Sequence, residues 1–267
     1  MKVIQQAKLL KVLVIGDSCI DRFIYGTCDR LSPEAPVPVL KHIETKEMPG
    51  MAGNVVENIK AFSSNVTLLT QDHEITKVRY VDSKSNQHIM RFDTEPPLNG
   101  QHGIFSADDN LALSAVSGDY DAVILSDYNK GFLTEKQITR LTDRMKQCIY
   151  VDSKKKDISC FKNSIIKLNN NEYKASGYTV DISSSIIKTL GSRGASYNGC
   201  IYPVQFTEVF DVSGAGDTFL AAFTIYHAVT NDIINAIKFA NKCASIVVQK
   251  SGTYALKVFD IKNQENK

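Results

Sequence analysis

The chain has 267 residues, 31 of them basic and 29 acidic, for a formal net charge of +2, and 43% are hydrophobic. That apolar share is ample for a buried core and excludes a low-complexity disordered chain. The near balance of charge makes no electrostatic case for nucleic acid, the one run of like charge being Lys154-Lys155-Lys156.

The first residues, MKVIQQAKLLKVLVIGDS, show no long apolar region followed by a small-residue cleavage site, and no stretch approaches eighteen apolar residues. Six cysteines (Cys19, Cys28, Cys148, Cys160, Cys200, Cys243) are scattered without a C-x-x-C pair. Reduced thiols, no structural zinc and a soluble cytoplasmic protein without membrane partners are the expectation.

Continuous apolar runs predict strands at VLVI (12–15), AVIL (122–125), CIYV (148–151), SIIKL (164–168) and SSIIKTL (184–190). Between and after them lie helical stripes: Ala52, Val55, Val56, Ile59 and Phe62; then Ile138, Leu141 and Met145, opened by the capping box Thr134-x-x-Gln137; then Ile233, Ile237, Ala240, Ala244, Val247 and Val248. Apolar strands alternating with helices predict an α/β fold, a three-layer, doubly wound, mostly parallel sheet. Ligands of such sheets sit beyond the carboxyl ends of the strands. Polar tails fall there: GDSCID, SDYNKG, DSKK and NNNE.

Two segments, about 34–49 and 74–95, read instead as a small β lid within a single domain spanning 1–267. APVPVLKHIE carries Pro36 and Pro38, which suit a sheet edge, while ITKVRYV and QHIMRFD flank a polar turn as a hairpin. Val78, Tyr80, Met90 and Phe92 share one parity, and Lys77, Arg79, Arg91 and Asp93 the other, so pairing gathers the three basic residues on one face. That face is either a solvated exterior or a surface for an anionic ligand.

The stretch DVSGAGDTF (211–219) places small residues immediately before a helical stripe. Small residues at a helix start let backbone N–H groups converge on an anion, with the helix dipole behind them. Asp217 there is either an ordinary cap or a carboxylate with chemical work. The absence of G-x-x-x-x-G-K-[ST] excludes a P-loop.

Together these pieces resemble the ribokinase-like (PfkB) family of sugar kinases. DVSGAGDTF resembles its C-terminal signature, GDSCID and PGMAGNV its sugar-binding elements, NNNE its N-x-x-E motif and TLGSRG its nucleotide-side glycine turn. GDSCIDRFIYG, RLSPEAPVPVL, SDYNKG and FANKCASIVVQKSGT resemble the branch that phosphorylates D-glycero-β-D-manno-heptose 7-phosphate. The resemblance implies ATP as phosphoryl donor, Mg²⁺ held mainly by the nucleotide and waters, K⁺ in some members, and a homodimer through the lid.

Carried over residue by residue, it implies Asp217 as the base that takes the sugar hydroxyl proton, with Gly214, Ala215 and Gly216 as an anion hole. It implies Asp17, Asp21, Gly50 and Asn54 on the sugar side, although Asp17 reads equally as a strand-end cap. Lys77, Arg79, Arg91 and Lys130 become candidates for a substrate phosphate, Lys130 otherwise being a solvated loop lysine. Asn169, Thr189, Gly191, Gly194 and Asn241 fall on the nucleotide side. Glu172 would organise magnesium-bound water, and Asp211 a monovalent cation. NNNE reads without the resemblance as a polar turn opening a helix. Departures are Met51 where family members carry glycine, and shortened stretches after VTLLTQDH and between ASGYTV and DISSS. No H-x-G-H motif is present, so nucleotide-sugar formation is not expected of this chain. A kinase of an unphosphorylated sugar or nucleoside, or a binding protein without turnover, are the competing readings.

Overall fold

The computed structural model describes residues 2–95, 118–177, 181–205, 207–250 and 252–265. The shortened junction at 178–180 lies outside them. Strands β1 (Val12–Gly16), β4 (Val66–Leu69), β7 (Ala122–Asp127), β8 (Ile149–Ser153), β9 (Ser164–Asn169) and β10 (Ser185–Thr189) run parallel, in the order β10-β9-β8-β7-β1-β4. Two short antiparallel strands, β11 (Ala195–Tyr197) and β12 (Cys200–Tyr202), extend the β10 edge.

Every residue of β1, β7 and β8 is buried, which explains the apolar runs that begin these strands, while β7 and β8 end in the buried polar residues Ser126, Asp127, Asp152 and Ser153. Their side chains alternate between two cores. Val12, Val14, Ala122, Ile124 and Tyr150 pack with helices α2 (Ala52–Lys60), α5 (Ala215–Thr230) and α6 (Ile233–Val247). Leu13, Ile15, Val123, Leu125 and Val151 pack with α3 (Glu135–Arg144) on the other face. Burying each large aliphatic or aromatic side chain contributes about 1.5–3 kcal/mol. The expected capping box opens α3: the Thr134 hydroxyl oxygen accepts from the Gln137 N–H, and the Thr134 N–H donates to Gln137 Oε1 at 2.9 Å. A short first helix, α1 (Lys2–Ala7), precedes β1.

A second sheet has the order β3-β2-β5-β6, with β2 Ser18–Thr27, β3 Lys41–Met51, β5 Thr76–Asp82 and β6 Gln87–Thr94. The hairpin register is the one that the parity requires. Val78 faces Phe92 and Tyr80 faces Met90 on one side, while Lys77 faces Asp93 and Arg79 faces Arg91 on the other.

Two expectations are corrected. GDSCID is not a tail: from Ser18 it forms β2, the strand that pairs with both β3 and β5. Its inward positions are Cys19, Asp21 and Phe23, and a carboxylate among the buried positions hides the period-two signal. Only the second half of APVPVLKHIE, from Lys41, enters β3, which is an edge strand as expected; Pro36 and Pro38 precede it, Pro38 in an isolated bridge with Leu31, because proline has no N–H to give a continuous ladder.

Candidate active site

The carboxyl ends of the parallel strands converge beneath the start of α5. Gly214, its N-cap, has φ +78°, and a Cβ there would lie 2.7 Å from Asn54 Nδ2, so both backbone sign and space require glycine. The first bond into α5 runs from the Thr218 N–H to the Gly214 carbonyl at 2.9 Å, leaving the N–H groups of Gly216 and Asp217 ahead of the helical ladder. Ala215 departs from the expected anion hole: its N–H donates to the Val212 carbonyl at 3.3 Å.

Asp217 is buried. Its Oδ2 accepts from the Asn54 amide at 2.8 Å and its Oδ1 from the Tyr128 hydroxyl at 2.8 Å. Burial raises its pKa above the usual carboxylate value, the Asn54 bond lowers it, nearby Asp152 raises it, and Tyr128 and Lys167 lower it. Asn54 is itself fixed by Asn58, whose amide donates to the Asn54 carbonyl at 2.8 Å and whose Oδ1 accepts from Thr218 and from the Leu256 N–H. Asn54, expected on the sugar side, therefore spends its amide on the carboxylate of α5.

Below this turn lies a cleft of about 650 Å³, lined among others by Asn169, Thr189, Gly191, Gly194, Asn241 and Val248. All five residues expected on the nucleotide side thus line one cavity. Its floor carries a charge cluster. Asp152 Oδ2 pairs with Lys167, its Oδ1 lies 3.2 Å from Lys154 Nζ, and Lys154 also pairs with Glu172 Oε1. Lys167 lies directly under the turn, 3.0 Å from where a Gly216 Cβ would stand.

Asn169 and Glu172 form a reciprocal capping box at α4 (Asn170–Ala175), the polar-turn reading of NNNE. Glu172 Oε2 takes the Asn169 N–H at 2.7 Å and its Oε1 takes Lys154. Asp152 and Glu172 are thus already matched by lysines. Among the described residues no three acidic, histidine or cysteine side chains converge on a metal position. These residues do not fit a protein-held magnesium ion. Asp211 accepts from the Ser213 N–H at 2.8 Å and the Gly252 N–H at 2.9 Å, so both its oxygens brace the turn.

On the lid side, Asp21 pairs with Arg79 and accepts from Thr253 Oγ1 at 3.3 Å. A Cβ on Gly50 would strike Asp21 Oδ2 and stand 2.6 Å from Cys19 Sγ, so Gly50 makes room for Asp21. Asp17 takes the cap role: its carboxylate accepts from the main-chain N–H groups of Tyr128, Lys130 and Phe132 at 2.8, 3.2 and 3.3 Å. Burial and Asp127 raise its pKa, against which those N–H bonds act. Lys77 lies over the Tyr128 ring, 5.4 Å from its centroid. Arg91 is largely exposed and 2.9 Å from Asp93, and Lys130 is 2.5 Å from Glu95. Lys77, Arg79 and Arg91 share one face of the hairpin, and Arg79, Arg91 and Lys130 already hold carboxylates.

Tyr128, Asn58, Asp152, Lys154 and Lys167 escape sequence reasoning. Lys154 and Asp152 sit in the DSKK tail, which signals a strand end but no partner. Lys167 sits within an apolar strand, where a lone lysine has no periodic signature.

A family model described as pfkB family carbohydrate kinase matches residues 167–258. The bifunctional protein HldE of Campylobacter fetus subsp. fetus is 31% identical over 97% of this chain and 67% of its own length. That of Campylobacter curvus is 29% identical over 92% of this chain, which spans 63% of that relative's length. Among solved structures, Escherichia coli phosphofructokinase-2 in complex with potassium superposes with a TM-score of 0.75 at 14% identity, covering 96% of this chain and 98% of that one. Ribokinase from Thermotoga maritima gives a TM-score of 0.67 at 16% identity, covering 97% and 100%. The structural likenesses make the fold ribokinase-like. With the small-residue turn seated over the cleft and the sequence likeness running along nearly the whole chain, the chain belongs to the pfkB family of carbohydrate kinases.

Proposed function

We propose that the chain is an ATP-dependent kinase that transfers the γ-phosphoryl group to the anomeric hydroxyl of a sugar phosphate, D-glycero-β-D-manno-heptose 7-phosphate being the first candidate. The observation that carries this reading is Asp217, a buried carboxylate at the start of α5 between the lysine-floored cleft and the lid. The similarity to HldE proteins and the lid cations support the phosphorylated sugar.

In this reading Asp217 orients the attacking hydroxyl and receives its proton as the new P–O bond forms. Asn54 and Tyr128 hold the carboxylate while the hydroxyl approaches its remaining lone pairs. The free N–H groups of Gly216 and Asp217, backed by the helix dipole and the Lys167 ammonium, meet the transferring phosphoryl oxygens. The transition state is loose, so holding both reactants in line does most of the work. MgATP is the nucleotide substrate, bound along Asn169, Thr189, Gly191, Gly194 and Asn241.

A kinase of an unphosphorylated sugar is the second reading, favoured by Arg79, Arg91 and Lys130 already pairing with carboxylates. We further propose that the chain folds as one kinase unit in the cytoplasm and pairs with a second copy. The outer lid face leaves Met90 and Phe92 more than half exposed beside Val78 and Tyr80. No helix among the described residues is long and apolar enough to cross a membrane. A coupled ADP-release assay across phosphorylated and free sugars tests the function. Turnover confined to free sugars overturns the sugar-phosphate assignment, and no turnover on any sugar overturns the kinase.

A further inference from the structure

Asp217 receives one of its two side-chain hydrogen bonds from a tyrosine that belongs to neither the signature turn nor the sugar-binding elements. Tyr128 follows β7 directly, and three contacts fix it. Its N–H donates to Asp17 at 2.8 Å, its ring packs against the buried Cys19, Met51 and Ile75, and its hydroxyl reaches Asp217 Oδ1 at 2.8 Å. Two ammoniums lie over the ring, Lys77 of the lid at 5.4 Å from the centroid and Lys154 of the nucleotide side at 5.3 Å. The tyrosine therefore stands where lid, base and nucleotide floor meet. Resting on the kinase reading above, we propose that Tyr128 is a positioning residue, whose hydroxyl sets the orientation and the proton affinity of the Asp217 carboxylate.

The chemistry follows from donor and acceptor. A phenol can donate to a carboxylate, and this bond stabilises the ionised acid that must accept the sugar proton. Burial and the adjacent carboxylate push the Tyr128 phenol well above its ordinary value, which keeps it a donor throughout the working pH range. The second oxygen is held by Asn54, so the two donors fix the carboxylate plane. The bond also limits where a sugar hydroxyl can approach. With the Tyr128 bond made, Oδ1 keeps one lone pair for that hydroxyl.

Other groups act on the same carboxylate, so the test must isolate Tyr128. Asp152 of β8 raises the Asp217 pKa and Lys167 of β9 lowers it. The Cys19 thiol of β2 also senses the Asp217 charge, and Lys154 and Lys77 flank the tyrosine itself. None of these is altered by Tyr128→Phe.

The experiment is a ¹³C-carboxyl NMR titration of the full chain without ligands, with the Asp217 signal assigned through Asp217→Asn. Tyr128→Phe is expected to raise the Asp217 midpoint by about one pH unit, and to move the acidic limb of kcat/KM in parallel. Replacing Tyr128 by 3-fluorotyrosine, a stronger donor of almost the same shape, is expected to lower the midpoint. This second variant serves where the phenylalanine protein fails to fold. A tyrosine that merely fills space would change melting temperature or kcat while leaving the midpoint in place. An unmoved midpoint in both variants overturns the proposal. Because the titration needs no turnover, failure of the kinase reading in the sugar screen is seen separately.

Discussion

Asn54 in the first turn of α2 donates its amide to Asp217 in the first turn of α5 at 2.8 Å, across 163 positions of sequence. Because β3 runs directly into α2 at Met51, this bond ties the lid's strand to the helix that carries the proposed base.

Replacing Asp217 by Asn removes the proton acceptor and leaves the volume unchanged. We expect kcat to fall by about 10²–10⁴-fold, with nucleotide and sugar still bound, as steady-state kinetics and calorimetric titration would show. Stability carries a second signature. The folded pKa of Asp217 lies above the reference value of 3.8, so protonation favours the folded state. Wild-type stability should therefore gain on that of Asp217→Asn as pH falls through the raised value toward 3.8. A pH-independent difference in melting temperature would contradict the burial argument.

Gly50→Ala tests the packing that seats Asp21. The added methyl meets Asp21 Oδ2 and Cys19 Sγ, neither at the end of a long flexible chain. Overpacking of this kind costs about 1–3 kcal/mol. With Asp21 displaced, its bond to Arg79 should loosen and sugar KM should rise while ATP KM stays put. Unchanged melting temperature and sugar KM would remove Gly50 from the site.

Lys154→Met tests whether the lysines stand in place of a protein-held metal. Wild-type protein without nucleotide should show no Mn²⁺ binding by electron paramagnetic resonance, since Asp152 and Glu172 are both paired. The variant frees an oxygen on each and should gain a site. Mn²⁺ bound by the wild-type protein and lost in Glu172→Gln would reverse the assignment.

Arg91→Ala tests the lid. A substrate phosphate does not react, so its grip is uniform binding and its loss appears in KM rather than kcat. We expect a tenfold or greater rise in KM for the phosphorylated sugar, and little change for ATP or for any free sugar. The exposure of Arg91 leaves it accessible to a ligand, but Asp93 competes for it. An unchanged sugar-phosphate KM would return the lid cations to a solvated face.

Phe92→Asp tests the proposed pairing of two lids. Placing a charge amid the apolar outer face should convert a dimer into a monomer by light scattering. A wild-type monomer at high concentration would refute the pairing.

What the sequence determined by itself is periodic or local. The buried strands β1, β7 and β8 advertise themselves because both faces are apolar, and α3 because Thr134 and Gln137 complete a cap within one turn. The hairpin parity was legible for the same reason: a slip of one residue would turn Arg79 and Arg91 onto the apolar side. The helix start at the small-residue turn before Asp217 was legible because small residues ahead of an apolar stripe mark a helix boundary. Tertiary structure alone decided the partners. Strand β2 is masked by the inward Asp21, which is tolerated because Arg79 comes from a strand more than fifty residues away. Lys167 is buried in a strand because Asp152 of the neighbouring strand neutralises it under Gly216. Asp17 became a clamp for the loop after β7, and Tyr128 a donor to Asp217, through contacts that span 111 and 89 positions. A buried charge or hydroxyl is stable only with its partner, and partners so distant in sequence leave no pattern until the chain brings them together.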